Sequence, residues 1–97
     1  MSSRDPVHID VNGVLDLHYF KPADLSTLID EYIRVCIKKE IFSVRFIHGK
    51  GIGSIRRSVH SLLDRNPYVT GYQLADESGG GWGATIANLS PVPINQK

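Results

Sequence analysis

Cysteine is nearly absent: Cys36 is the single one in 97 residues. One thiol excludes an internal disulfide and any zinc site built on a cysteine cluster. Cys36 falls at a periodic apolar position of a predicted helix, where a small buried hydrophobe is the plain reading. No apolar run approaches the length of a membrane span, so no membrane partner is expected. The opening Met1-Ser-Ser-Arg-Asp-Pro is polar and lacks the apolar core of a secretory signal. These absences fit a reducing cytoplasm. Two nucleotide signatures are missing as well. No Lys-Ser/Thr pair stands at P-loop spacing, and Gly49, Gly51 and Gly53 alternate without the βαβ unit and acidic ribose ligand of a dinucleotide site. A nucleotide cofactor is therefore not expected.

What is present suits one domain with one modest core: 41% of residues are apolar and 22% charged. The net charge of +1 says nothing by itself about a polyanion partner. Its distribution says more. Eight of the eleven basic residues lie between positions 34 and 65 (Arg34, Lys38, Lys39, Arg45, Lys50, Arg56, Arg57, Arg65), against Glu40 and Asp64 alone. A basic middle is a candidate phosphate-facing surface. Lys38 and Lys39, at a predicted helix end, are read as favourable partners of the helix dipole instead.

Residues 1–13 read as an arm, with His8 an exposed alternating residue and Asn12-Gly13 a turn. Val14 to His18 alternates and predicts a strand, with Leu15 and Leu17 on one face and Asp16 and His18 on the other. Tyr19 to Pro22 is a turn. The apolar stripe Leu25, Leu28, Ile29, Tyr32, Ile33, Cys36 and Ile37 predicts a helix over about 22–39, with Tyr32 in the core. Residues 43–48 form a second strand. Ile52, Ile55, Val59, Leu62 and Leu63 predict a second helix over about 53–65, ended by Asn66-Pro67. His60 lies off that stripe and is read as solvated. Residues 68–75 and 82–89 predict a hairpin of two strands, and 90–97 a tail.

Strand, helix, strand implies that the first two strands run parallel. Their C-terminal ends then share one edge of the sheet, the edge where open α/β sheets bind ligands. Asp16, His18 and His48 converge there, beside the start of the second helix. Gly49, Lys50, Gly51 and Gly53 precede that helix. Unpartnered backbone N–H groups and a positive dipole end make such a turn an anion site. Lys50, Arg56 and Arg57 add charge within reach. The plain alternative is a tight turn whose glycines serve backbone shape alone. Asp16 and His18 have three readings: an acid orienting a base, two metal ligands, or a capping Asp beside a solvent-facing His. Trp82, flanked by Gly81 and Gly83, either stacks on a base or ribose or covers the sheet.

Three blocks, Leu15-Asp-Leu-His18, His48-Gly-Lys-Gly51 and Gly80-Gly-Trp-Gly-Ala-Thr85, resemble in order and spacing those of the Smr (small MutS-related) domain, over residues 14–89. The resemblance implies an α/β fold, a βαβαββ two-layer sandwich with a four-stranded mixed sheet and two helices, similar to the C-terminal domain of translation initiation factor three. It also implies nucleic-acid binding, DNA or RNA, and endonuclease activity that nicks DNA or cleaves RNA. Where the family usually has glycine after the first block's His, this chain has Tyr19, a side chain that narrows the site or offers a stacking surface.

The expectation is an acid–base site. Asp16, His18 and His48 carry the chemistry, one imidazole as base and the other donating to the leaving oxygen. Gly49, Lys50, Gly51, Gly53, Arg56, Arg57 and Trp82 hold the nucleic acid. One carboxylate and two imidazoles make a thin ligand set for magnesium, which prefers oxygen; a divalent cation is left open. The competing expectation is a binding module for DNA or RNA without catalysis.

Overall fold

The computed structural model describes residues 11–49, 53–75 and 83–94. The first ten residues, Lys50, Gly51, Ile52, the expected turn from 76 to 81, Trp82 and the last three residues lie outside the described ones. Strand β1 is Val14–Asp16, helix α1 Leu25–Lys38, strand β2 Ser43–Ile47, helix α2 Gly53–Arg65, strand β3 Val69–Leu74 and strand β4 Ala84–Leu89.

Helix α1 forms where apolar residues recur at three and four, and it buries Leu25, Ile29, Tyr32, Ile33 and Cys36. A single 3-10 turn, Pro22–Asp24, leads into it; proline at the first helical position gives up only a donor that has no partner there. The helix ends with Ile41 N–H on the Cys36 carbonyl at 2.8 Å and Glu40 N–H on the Ile37 carbonyl at 2.9 Å. Glu40 takes the left-handed conformation that this stop requires, φ 64°. The chain thereby turns back into β2.

The sheet order is β1-β2-β4-β3. β1 and β2 are parallel, with Asp16 level with Ile47. β4 runs antiparallel to β2, with Phe46 level with Thr85 and Ile47 with Ala84. β3 pairs antiparallel with β4. One edge therefore gathers the C-terminal ends of β1 and β2, the N-terminal end of β4, and His48 and Gly49. The core lies between sheet and helices, with Leu15, Leu17, Val44, Phe46, Val59, Leu63, Ala87 and Leu89 packed against the buried face of α1. Tyr32 belongs to it, 4% exposed. Its hydroxyl accepts from Gly13 N–H at 3.2 Å and donates to the Val14 carbonyl at 3.1 Å, fixing the start of β1. Asn66 ends α2 by turning its side chain back to accept Tyr68 N–H at 2.9 Å.

β1 and β2 each end earlier than expected. β1 stops at Asp16, and Leu17–Tyr19 is a 3-10 turn rather than strand. The cause is Asp16 itself, whose carboxylate accepts His18 N–H and caps the turn. Leu17 still points inward, 3% exposed. β2 stops at Ile47, because the amides of His48 and Gly49 both turn onto the Gly83 carbonyl, each at 2.8 Å.

Candidate active site

Asp16 and His18 meet through the turn, not across a strand face. Asp16 Oδ1 accepts His18 backbone N–H at 2.9 Å and lies 2.7 Å from His18 Nδ1. That one oxygen both caps the turn and orients the ring. Hydrogen bonding from the His18 backbone, followed by bonding and attraction from its ring, holds the Asp16 carboxyl below its ordinary range against the opposing effect of burial. A carboxylate only accepts, so Nδ1 of His18 carries the hydrogen. In the neutral ring Nε2 then carries a lone pair. The two side chains are open to solvent, 54% exposed for His18 and 41% for Asp16. Tyr19, next in the turn, is 84% exposed.

His48 stands in the opposite condition, 7% exposed. Val44, Phe46 and His48 alternate onto the helix-facing side of the sheet, and Thr85 lies on that side of β4 in phase with Ala87 and Leu89. His48 Nδ1 is 3.0 Å from the Gly49 carbonyl, and its Nε2 is 2.8 Å from Thr85 Oγ1. His60, reaching down from α2, places its Nε2 2.8 Å from the same hydroxyl. The expectation of a solvated His60 is thus corrected. It follows Val59 directly and stands one turn before Leu63, so it flanks the buried stripe instead of facing away from it. Its ring also lies against Tyr72, centroids 4.7 Å apart, and the Tyr72 hydroxyl donates to Asp64 at 2.9 Å. Burial above all pushes the His48 and His60 pKa values down. Nearby Arg56 opposes a charge on either ring, as do His18 for His48 and His48 for His60.

Gly49 joins the two environments. Its φ is 89°, and a Cβ built there would lie 3.0 Å from His18 Nε2. The His18 ring therefore rests on the glycine that follows His48. The structure brings Asp16, His18, His48 and Gly49 to one edge, with Gly53 opening α2 and Arg56 acting on the imidazoles of His48 and His60. It does not bring Arg57 there. Arg57 lines the groove between the helices with Ser26, Ser58 and Arg65. Arg34 pairs with Asp30 on α1 at 3.0 Å, which offsets its charge locally. Lys50, Gly51 and Trp82 lie outside the described residues. Sequence reasoning missed His60 and Thr85 as site residues; the phase of Thr85 with the buried positions of β4 was the available signal. Among the described residues no three His, Cys, Asp or Glu side chains gather to hold a metal ion, and no helix is long and apolar enough to cross a membrane.

A four-stranded mixed sheet under two helices, with an Asp–His pair and Gly49 at one edge, defines a small α/β domain. A family profile described as the Smr domain matches residues 15–90, and the chain belongs to that family. It is 37% identical over 79 residues to the endonuclease MutS2 of Halothermothrix orenii, covering 81% of this chain and 10% of that protein. It is 38% identical over 88 residues to the endonuclease MutS2 of Lactobacillus johnsonii, covering 91% and 11%. The chain thus spans about a tenth of the length of these curated relatives. Among solved structures, the Smr domain of Thermus thermophilus MutS2 superposes with a TM-score of 0.76 at 26% identity, covering 82% of this chain and all of that one. YdaL, a stand-alone small MutS-related protein from Escherichia coli, gives 0.72 at 26%, covering 80% of this chain and 64% of that one.

Proposed function

We propose that this domain is an endonuclease that binds DNA or RNA at the shared sheet edge and cleaves a phosphodiester bond, with His18 as general base. The observation that carries this is an exposed imidazole whose Nδ1 is tied to a carboxylate at 2.7 Å and whose Nε2 has no hydrogen-bond partner among the described residues. Asp16 fixes the tautomer and orientation and stabilises the ring as it takes up the proton of water, or of a ribose hydroxyl; the departing oxygen takes its proton from solvent. His48 is a poor second acid or base, because both its ring nitrogens are already engaged; its part is to hold the turn. The scissile phosphate is received by Gly49 and the start of α2 at Gly53, with Arg56 and, by sequence alone, Lys50 and Gly51 contributing charge and backbone N–H. Arg57 and Trp82 serve neighbouring parts of the strand. The nuclease names of the MutS2 relatives agree with this reading.

The test is incubation with labelled single-stranded RNA, duplex DNA and branched DNA, with and without chelator, comparing wild type with His18→Ala. Cleavage of at least one substrate, slowed roughly 10²- to 10⁴-fold in the variant while binding persists, is the expected result. Equal rates for the two proteins would remove His18 from the role. Salt-dependent binding with no cleavage by wild type on any substrate would leave a binding module.

A further inference from the structure

We propose that Thr85 and His60 are positioning residues: through a directed chain of hydrogen bonds they hold His48 as its Nδ1–H tautomer, which pins the Gly49 carbonyl and fixes the floor beneath the His18 ring. The catalytic consequence rests on the endonuclease reading; the chain itself does not.

Its direction follows from the partners. The Gly49 carbonyl can only accept, so His48 Nδ1, 3.0 Å away, is the donor. The neutral ring then offers a lone pair at Nε2, where Thr85 Oγ1 stands at 2.8 Å. A hydroxyl has one hydrogen to give and accepts elsewhere. Thr85 therefore donates to His48 and accepts from His60 Nε2–H at 2.8 Å. Thr85 is 0% exposed, and a buried hydroxyl is costly unless satisfied; here it is satisfied on both sides. His60 is steadied by its contact with Tyr72, itself bonded to Asp64 one turn along α2. At the far end, Gly49 is held at its nitrogen by the Gly83 carbonyl and at its oxygen by His48. It carries the left-handed φ of 89° and underlies His18 Nε2. Helix α2 and strand β4 thereby set the height of the base.

Neither an apolar isostere at 85 nor a ring without a donor at 60 can sustain this chain. The decisive comparison is Thr85→Val, Thr85→Ser and His60→Phe, each checked by thermal melting. The readouts are nitrogen-15 spectra of the His48 ring and the separation of kcat from KM. Wild type and Thr85→Ser should show His48 protonated at Nδ1 and bare at Nε2. Thr85→Val and His60→Phe should lose that single tautomer, and kcat should fall roughly 10- to 100-fold with KM nearly unchanged, as for a group displaced by about 1 Å. A wild-type ring spectrum in Thr85→Val, or equal damage from Val and Ser, would overturn the proposal. Absence of cleavage by wild type would sink the endonuclease reading alone, and the spectra would still decide the chain.

Discussion

His18 and His48 share one edge of the sheet but not one chemistry. His18 lies in the open, one nitrogen on Asp16 and the other unclaimed among the described residues. His48 is enclosed, with a carbonyl on one nitrogen and a hydroxyl on the other. An imidazole with a free lone pair at the surface can take a proton from a guest. One whose nitrogens are both spent can only hold its neighbours in place. On the proposed reading, the same residue type, brought to one rim by parallel strands, serves once as a reacting group and once as a support.

The sharpest way to break this division is to remove each ring in turn. His18→Ala should slow cleavage about 10²- to 10⁴-fold and shift the melting temperature little, since the ring is largely solvated. His48→Ala leaves the Gly49 carbonyl without its ring partner and the Thr85 hydroxyl with His60 alone, beside a void, so it should lower stability by about 2–4 kcal/mol. That is a fall in Tm on the order of 10 °C or more for a domain of this size. Matched cleavage assays and thermal melts check both. A stable His48→Ala protein that binds substrate but has lost catalysis would return His48 to the acid–base role.

Two glycines sharpen the comparison next. Gly49 and Gly13 have similar left-handed φ values, 89° and 94°. A Cβ at Gly49 would meet His18 Nε2 at 3.0 Å, whereas one at Gly13 would meet the Ile41 side chain and the Ser43 carbonyl at 3.2 Å. Either change to alanine should cost about 1–3 kcal/mol of stability. Only Gly49→Ala should also displace the base, so its cleavage rate should drop further than that of Gly13→Ala at a temperature where both are folded. Equal rates would show that the floor beneath His18 yields freely.

The charge on Asp16 is a smaller lever. Asn at this position can still cap the turn and accept from the ring, but it cannot stabilise the imidazolium electrostatically. At so exposed a pair the loss is modest. Asp16→Asn should slow cleavage by about one order of magnitude, well short of His18→Ala. A rate matching that of His18→Ala would mean that the carboxylate itself touches the substrate.

Most of this scaffold was legible because its signals are local. Helical spacing located α1, and parallel pairing of β1 with β2 followed from the strand–helix–strand order. The shared edge came from that topology. What stayed hidden depends on three-dimensional phase. Asp16 and His18 were read on one strand face, but a carboxylate that can bond the backbone two residues on competes with the strand ladder and wins. His60 looked solvated because the stripe was drawn from apolar residues alone, and a polar side chain flanking it counted as outside. Thr85 gave no chemical signal by itself. Its role exists only because β4 runs antiparallel to β2 and carries the hydroxyl beneath two imidazoles from distant parts of the chain. Arg56 and Arg57, adjacent in sequence, have different neighbours: Arg56 acts on His48 and His60, and Arg57 lines the groove between the helices.

The enclosed ring leaves its own mark on stability. The native state keeps His48 and His60 neutral, with pKa values pushed below the ordinary 6.5 chiefly by burial. In the unfolded chain both titrate near that ordinary value. As pH falls below about 6.5, the unfolded state therefore binds more protons than the native state, and stability declines. Above that pH neither state is protonated and the effect vanishes. The slope has a ceiling of about 1.4 kcal/mol per pH unit for each group. The lowered Asp16 pKa acts later, below the carboxylate's ordinary 3.8, where protonation removes what its hydrogen bonds contribute. Melting measured from pH 7.5 down to 5 should show Tm falling, and falling less steeply in His60→Phe, which removes one of the two titrating rings. A Tm that holds or rises toward pH 5 would mean that the native network carries a proton, and the hydroxyl between the two rings would then have to accept from both.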